Sequence, residues 1–255
     1  MSAGVRQVET LAEALACFDD RFLRWQVTAS GFRRAWVTEG QAVVVHRMRD
    51  TLPQLIALGT AGEVAVLLDV ATAALPREDL ADGSVRLTIE VEAAAELPAT
   101  LRMVGEHADR WEWMWSRTQP PALDREREVR WTEDMDAVKA LLALANPRHH
   151  GRPGDPDIRG WAAVHDTDGA LLCTGALVDL DTGVPHLRSI TTCPQARGQG
   201  LGAAVSAFLT REALRSGPPA VSLGLYSDNA TARRLYLRLG YQPSHALISG
   251  PLVRR

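Results

Sequence analysis

The chain has 255 residues, of which 46% are hydrophobic and 23% are charged. This composition is typical of a folded globular protein and excludes a disordered, collagen-like or coiled-coil chain, and the length suits one large domain or two ordinary ones. No stretch approaches the length of a membrane span, and the first twenty residues carry acids where a signal peptide has basic and apolar residues. We therefore expect a cytoplasmic protein with no membrane partner.

The net charge of −3 excludes a strongly basic nucleic-acid-binding protein, so no nucleic-acid partner is expected. The charge is unevenly divided, because residues 1–122 hold 12 basic and 17 acidic side chains whereas residues 123–255 hold 16 and 14. An anionic ligand is therefore expected in the second half. Cys17, Cys173 and Cys193 lack the CxxC spacing of a zinc site, so we interpret them as small buried residues and expect no metal.

Residues 1–117 are predicted to form an α+β domain. Glu39-Gly40 separates two strand-like runs and predicts a hairpin. The elements predicted from periodicity are a helix at Val8–Phe18, hairpin strands at Phe32–Val37 and Gln41–Arg47, a short strand at Leu55–Leu58, a helix at Glu63–Leu75, and strands at Val85–Val91 and Arg110–Trp115.

Three tryptophans alternate in the last of these strands. Trp111, Trp113 and Trp115 lie on one face because strand side chains alternate with a period of two. Stacking on sugars or bases is one interpretation, and packing against a helix or the other domain is the commoner one. Pro120-Pro121 follows within the charged segment SRTQPPALDRER, so an inter-domain linker is predicted at residues 118–127.

Residues 128–255 are predicted to form a second domain with the element order βαβββαβαβ. Thr167-Asp168-Gly169 marks the turn of a hairpin within it. The predicted elements are a strand at Val129–Trp131, a helix at Asp136–Ala145, strands at Gly160–His165, Leu171–Leu180 and Leu187–Thr192, a helix at Gly200–Arg215, a strand at Ala220–Tyr226, a helix at Asn229–Leu239 and a strand at Tyr241–Ser249.

A glycine-rich segment, RGQGLGA at residues 197–203, joins a predicted strand to a predicted helix. Glycines allow close backbone approach, and free amides at the start of a helix favour a phosphate or pyrophosphate. A P-loop is excluded because no GK[ST] follows. Gly198, Gly200 and Ala203 formally match a dinucleotide fingerprint, but the nearest acid, Asp228, lies beyond the end of the next strand, which disfavours it.

The sequence at this point resembles the GNAT superfamily of N-acetyltransferases. Its pyrophosphate loop has the pattern [RQ]-x-x-G-x-[GA], which Arg197, Gly200 and Gly202 fit. A second family motif, N-x-x-A-x-x-L-Y-x-x-x-G-[FY], is matched in full by Asn229, Ala232, Leu235, Tyr236, Gly240 and Tyr241. The resemblance spans roughly residues 127–250. The WEWMW run, the linker and RPGDP also resemble a two-domain bacterial type with a divergent first half.

The resemblance implies acetyl-CoA as cosubstrate and assigns roles to the matching residues. In such proteins, the strand before the loop separates from its neighbour and pairs with the pantetheine arm, and a tyrosine approaches the thioester sulfur. The implied cofactor-binding residues are Ile190, Thr191 and Thr192 on the strand, Arg197, Gly198, Gln199, Gly200, Leu201, Gly202 and Ala203 in the loop and helix start, and Asn229 beside the pantetheine arm. Tyr236 is the implied general acid.

Each of these assignments has a structural alternative. Tyr236 shares an apolar helical face with Ala232, Leu235 and Leu239, which by spacing alone favours packing. Asn229 is a favoured N-cap residue, and both of its roles are compatible. Some family members carry a glutamate five residues before the motif asparagine, where this chain has Gly224. His186 is our candidate general base instead, because an ordinary histidine pKa suits proton removal near neutral pH, and a solvated or core histidine is its structural alternative. A water relay or an acid from the first half are the other candidate routes for the proton.

The segment from His149-His150 through RPGDP offers further polar side chains. Adjacent histidines point apart, so a metal site is not expected there. The resemblance places part of the acceptor entrance in this segment, where Arg152, Asp155 and Asp157 are candidates for reading a charged acceptor, with a solvated turn as the alternative.

We therefore expect a mixed α/β fold, with a catalytic GNAT domain at residues 128–255 and a degenerate, non-catalytic GNAT-like domain at residues 1–117. The expected activity is direct transfer of an acetyl group to a primary amine of a small molecule or peptide, and a homo-oligomer is compatible with the sequence. An acyl-CoA-binding sensor without turnover, or a transferase of longer acyl groups, are the alternatives. In the first half, the segment Gly59-Thr60-Ala61-Gly62 occupies the position that corresponds to the glycine-rich loop of the second half. It lacks the arginine and the third glycine of that loop.

Overall fold

The computed structural model describes residues 4–49, 51–104 and 109–255. Within these ranges the chain forms seven α-helices and thirteen strands, which confirms the mixed α/β class. It divides into two compact units, one comprising Met1–Glu112, Tyr226–Asp228 and His245–Arg255, and the other comprising Trp113–Leu225 and Asn229–Ser244. None of the helices in the described ranges is long and apolar enough to cross a membrane.

The first unit is a mixed sheet with helices. Its elements are β1 (Arg6–Val8), α1 (Leu11–Cys17), α2 (Arg21–Gln26), β2 (Phe32–Thr38), β3 (Ala42–Arg49), β4 (Leu52–Gly59), α3 (Ala61–Ala73), α4 (Arg77–Ala81), β5 (Arg86–Glu90), a 3₁₀ turn (Ala93–Glu96) and β6 (Leu101–Met103). The strand order is β1-β2-β3-β4-β5, and only β4 and β5 are parallel. Helix α3 covers a hydrophobic cluster formed with β2, β3 and β4.

The strand β7 (Asp109–Ser116) carries the chain from the first unit into the second. The later elements are a 3₁₀ turn (Asp124–Glu128), β8 (Arg130–Thr132), α5 (Met135–Ala145), β9 (Ile158–His165), β10 (Leu171–Val178), β11 (His186–Thr192), a 3₁₀ turn (Pro194–Ala196), α6 (Leu201–Leu214), β12 (Val221–Tyr226), α7 (Ala230–Arg238) and β13 (Gln242–Arg254). The second unit has the strand order β8-β9-β10-β11-β12, in which only β11 and β12 are parallel.

Helices cover both faces of the second sheet. Alternate residues of β10 face the two sides, since Leu177 packs in the cluster of α6 and Ala176 packs with Val138 and Leu142 of α5. The α6 cluster is the larger and includes Tyr236 and Tyr241. Burying both faces of the central strands fixes the register of β10 and β11, because a one-residue slip would exchange the two sets of side chains.

The predicted and observed elements differ mainly at their ends and in the first unit. The first helix begins at Leu11 rather than Val8, because Thr10 and Glu13 form a reciprocal capping box and residues 6–8 join β1. The short helices α2 and α4 were not predicted. The last strand continues past Ser249, because its residues Leu247–Pro251 pair with β5 and its final residues pair with β6.

That pairing also changes where the chain divides. The predicted catalytic domain runs to Arg255, whereas residues 245–255 belong to the compact first unit. The division near the tryptophan run falls between Glu112 and Trp113, ahead of the predicted linker. Trp113 and Trp115 are buried in the second unit, and this burial agrees with the interpretation of the tryptophan run as a packing surface.

A partly buried charged network lies in the first unit. His245 Nδ1 is 2.9 Å from Glu90 Oε1, and its Nε2 is 3.1 Å from Asp20 Oδ2. Glu90 also accepts a hydrogen bond of 2.9 Å from the Gly59 amide, and Asp20 accepts one of 3.0 Å from the Leu23 amide. Burial alone would lower the pKa of His245, but its hydrogen bonds to Asp20 and Glu90 outweigh this effect and raise the pKa to about 9.

The raised pKa predicts that the first unit loses stability in mild alkali. A protonated His245 stabilises the folded state fully below the ordinary histidine pKa of about 6.5, and this contribution is lost as the pH rises through about 9. We expect the free energy of unfolding to fall by about 3 kcal/mol more between pH 6.5 and 9.5 in the natural protein than in His245→Gln. Urea titrations of both proteins at the two pH values measure this free energy of unfolding. Equal pH dependence in both proteins would show that folded His245 is neutral.

Candidate active site at the ends of β11 and β12

The loop between β11 and α6 has a backbone that only glycine adopts easily. Gly198 and Gly200 have φ angles of 78° and 79°, in the left-handed region that side chains disfavour. A Cβ atom at either position would meet no atom within 4 Å. Both glycines are therefore required by conformation and not by crowding, and the surface of the loop is open.

The loop leads directly into the start of α6. Gly200 is the N-cap residue, and no side chain caps the helix there. The first turn of a helix has amides without intrahelical partners and carries the positive end of the helix dipole, so this end can accept an anion. One carbonyl of the loop is held by a side chain, because Arg125 Nη1 lies 3.3 Å from Gln199 O. Arg197 Nη2 lies 3.5 Å from Ala145 O, on the side of α5.

Strands β11 and β12 separate before the loop. They pair at His186↔Ser222 and Leu187↔Leu223, and the rest of both strands, which is fully described, has no register between them. The divergence that the family resemblance implies is therefore present. In the first unit the parallel pair β4 and β5 stays in register over four residue pairs, from Gln54↔Arg86 to Ala57↔Ile89.

The three residues predicted on the diverging strand use their side chains inside the protein. Ile190 packs against the α6 cluster. Thr191 Oγ1 accepts a hydrogen bond of 3.0 Å from Asn146 Nδ2, and Thr192 Oγ1 is 3.3 Å from Cys173 Sγ. What this strand offers to the gap is therefore its backbone, which is the part that the predicted pairing uses.

Tyr236 lies on α7, and Asn229 is the N-cap residue of that helix. Asn229 Oδ1 accepts a hydrogen bond of 3.0 Å from the Ala232 amide, so its N-cap role is confirmed. Tyr236 is 6% exposed, and its ring packs edge-on against Tyr241 with the centroids 5.7 Å apart. Burial raises the pKa of the Tyr236 hydroxyl to about 12, and the nearby Ser206 hydroxyl offsets part of that rise. The phenol is therefore protonated throughout the physiological range.

Gly224 is exposed on β12, and no carboxylate stands at that position. Two residues earlier on the same face of the strand, Ser222 is the register partner of His186. The His186 Nδ1 and Ser222 Oγ atoms are 2.9 Å apart, and His186 is 8% exposed. The structure thus places the candidate base on the face that carries Gly224, at the closed end of the gap.

The segment after α5, residues 146–157, borders the face of the sheet that carries His186 and Gly224. Asp157 pairs with Arg188 of β11 at 2.7 Å, and Asp155 accepts a hydrogen bond of 2.8 Å from the Arg152 amide. Asp155 therefore closes its own turn. Among the described residues, no cluster of three or more His, Cys, Asp or Glu side chains is arranged to hold a metal ion. Sequence reasoning missed Asn146, Gly151 and Ser189, which join this segment to β11, because no motif marks them.

The comparisons with known proteins agree with this geometry. The chain belongs to the GNAT acetyltransferase family, whose sequence model, described as Acetyltransferase (GNAT) family, matches residues 108–241, just over half of the chain. Membership of this family implies acyl transfer from an acyl-CoA.

Solved structures share the fold along most of the chain. The GCN5-related N-acetyltransferase from Sphaerobacter thermophilus is 15% identical with a TM-score of 0.58, and the match covers 98% of this chain and 95% of that one. The GCN5-related N-acetyltransferase from Kribbella flavida is 21% identical with a TM-score of 0.54, covering 82% and 86%. A GNAT-family acetyltransferase from Colwellia psychrerythraea is 15% identical with a TM-score of 0.54, covering 97% and 99%.

Proposed function

We propose that this protein is an acetyl-CoA-dependent N-acetyltransferase that transfers the acetyl group directly to a primary amine of a small molecule or peptide. The observation that carries the proposal is the open loop of Gly198 and Gly200, at an uncapped helix start, beside two strands that separate. An extended ligand with an anionic end fits this combination, because the strand offers backbone hydrogen bonds and the helix start offers free amides. Acetyl-CoA, when bound, supplies an acetyl group activated as a thioester.

Each group of residues in the proposed site binds a different part of acetyl-CoA. The amides of residues 198–203 bind the pyrophosphate, and the backbone of Ile190, Thr191 and Thr192 bonds to the pantetheine arm. Asn229 contributes its side-chain amide beside that arm. Arg197, at the mouth of the loop, adds positive charge that favours the phosphates.

Two side chains carry protons in this proposal. Tyr236 holds a proton on its phenolic oxygen, ready to hydrogen bond to the sulfur as negative charge develops there. Since its pKa of about 12 exceeds that of an ordinary thiol, near 8.5, it helps chiefly through a hydrogen bond that strengthens during departure. His186 takes the proton from the amine.

Cys173 is a poor candidate for a covalent acyl intermediate. Burial raises the pKa of the Cys173 thiol to about 11, so Cys173 is protonated near neutral pH and is a poor nucleophile. The activity itself is tested by measuring CoA release from acetyl-CoA with spermidine, lysine, kanamycin and a peptide with a free N-terminus. Binding of acetyl-CoA without release in any of these reactions would favour a sensor over an enzyme.

We predict that Gly200→Val abolishes acetyl-CoA binding, because valine disfavours the left-handed backbone and fills the open loop surface. Calorimetry should show at least about a hundredfold loss of affinity, as expected when several amide contacts are misplaced. Gly217→Val is the matched control, since Gly217 has a φ of 74° and equally open surroundings at the far end of α6. Equal affinity in both variants would contradict the placement of the pyrophosphate.

Tyr236→Phe is expected to keep the ring packing and remove only the proton donor. The kcat should fall by about a hundredfold, the usual scale of acid catalysis. Tyr241→Phe is the control, because Tyr241 is also buried and its hydroxyl is 2.8 Å from Thr210 Oγ1. We expect that control to lose stability and keep kcat. A kcat within about threefold of the natural value in folded Tyr236→Phe would exclude the role.

His186→Gln should remove the rise of kcat/KM with pH that titration of the base produces, together with about a hundredfold of the rate. The pH dependence of CoA release measures both quantities. His165→Gln, an exposed position at the end of β9, is the control and should leave the profile unchanged. If His186→Gln keeps the natural pH profile, the proton leaves by another route.

A further inference from the structure

A bulge interrupts β11 at the point where this strand leaves β12. On its other side β11 pairs with β10, and the register passes from Thr191↔Thr174 to Arg188↔Ala176. Two residues, Ser189 and Ile190, therefore stand opposite the single residue Gly175. An extra residue of this kind bends its strand and increases the local twist. The bulge thus changes the direction of β11 where the gap opens.

Ser189 occupies the strained position of this bulge. Its φ is 56°, and among the described residues it is the one non-glycine with a positive φ. A side chain disfavours this conformation, so the surroundings of Ser189 must hold it in place.

The Ser189 side chain is fastened to the backbone of one residue. The Gly151 amide donates to Ser189 Oγ at 3.0 Å, and Ser189 Oγ donates to the Gly151 carbonyl at 3.1 Å. A Cβ at Gly151 would lie 3.1 Å from Ser189 Oγ, so glycine allows this close approach. One hydroxyl therefore satisfies both backbone groups of Gly151.

The other bulge residue is held from the core side. A Cβ at Gly175 would lie 2.3 Å from Ile190 Cδ1, so Ile190 occupies the space that this glycine leaves. Ile190 packs there against the α6 cluster. The bulge is consequently fixed by core packing on one face and by Gly151 on the other.

Two further contacts join the segment of residues 146–157 to β11. Asn146 Nδ2 donates to Thr191 Oγ1 at 3.0 Å, and Thr191 Oγ1 donates to the Ser189 carbonyl at 2.9 Å. Arg188 and Asp157 form an ion pair of 2.7 Å. The segment is thus attached before the bulge, at the bulge and after it.

We propose that Ser189 is a positioning residue that holds β11 apart from β12 and fastens residues 146–157 to the same bulge. Through this contact the acceptor-side segment and the backbone that takes the thioester arm keep one relative position. The inference rests on the proposed function, because the gap affects catalysis only if it binds acetyl-CoA. Ser189 contacts no reacting group and acts through its neighbours.

Two substitutions separate the two effects. Ser189→Gly removes both hydrogen bonds to Gly151 but favours the left-handed backbone, so the bulge should persist. We expect its acetyl-CoA Kd to stay within about twofold, while the KM for the most active amine of the panel rises by about tenfold. Ser189→Ala removes the same bonds and retains the disfavoured Cβ, so its acetyl-CoA Kd should also rise by about tenfold.

Hydrogen exchange at the Gly151 amide gives a readout that is independent of activity. This amide loses its acceptor in both variants and should exchange faster, while Ser216→Ala, an exposed serine just beyond α6, should behave as the natural protein. Unchanged exchange and amine KM in both variants would overturn the fastening role. A natural acetyl-CoA Kd in Ser189→Ala would overturn the role in holding the gap.

The result for the unaltered chain separates this inference from the proposed function. If the natural protein binds no acetyl-CoA in calorimetry, the proposed function fails, and exchange at Gly151 still decides whether Ser189 fastens the segment. If the natural protein binds and turns over acetyl-CoA but all Ser189 variants match it, only the positioning role fails.

Discussion

Parallel strands that separate leave backbone amides and carbonyls without ladder partners, and this cost is the constraint on which the site depends. An unsatisfied buried polar group costs about 1–3 kcal/mol, so strands open only where other contacts hold them. Here β11 and β12 part after two residue pairs, and the bulge at Ser189 and Ile190 redirects one of them. The gap leads to the glycine loop and the start of α6. An extended ligand with an anionic end would satisfy both the strand and the helix.

The first unit shows the same order of strand, helix and parallel strand with the opposite outcome. Strands β4 and β5 stay in register over four pairs, and Glu90 Oε2 accepts a hydrogen bond from the Gly59 amide at the end of β4. Gly59 has a φ of 115°, but a Cβ there would lie 2.2 Å from Gln41 O, so its surroundings are filled. His245 balances the Glu90 carboxylate. These contacts give a physical reason for the prediction that the first half is non-catalytic and that an anionic ligand belongs to the second half.

Much of the second unit was predictable because its signals are local. Helical periodicity located α5, α6 and α7, and the motif located the glycine loop between β11 and α6, whereas the left-handed backbone of Gly198 and Gly200 was not predicted. The short helices α2 and α4 span six and five residues, too few for a periodic pattern. The pairing of β13 with β5 joins residues about 160 positions apart. Ser189 was missed because its backbone conformation depends on contacts with Gly151 and Gly175. These residues are distant in sequence, so the local sequence around Ser189 does not indicate the contacts.

The geometry of the gap explains why position 224 of β12 can lack a carboxylate. In the proposed mechanism the general base must lie beside the gap without filling it, and the register His186↔Ser222 places His186 where the two strands are still joined. The His186 Nδ1 atom lies 2.9 Å from Ser222 Oγ, and this contact holds the imidazole on the face of the strands that carries Gly224. Gly224, on the same face, adds no side chain between His186 and the wider end of the gap. In the proposed mechanism, glycine at this position is therefore compatible with a base on the neighbouring strand, because it adds no side chain that would obstruct the approach of the amine.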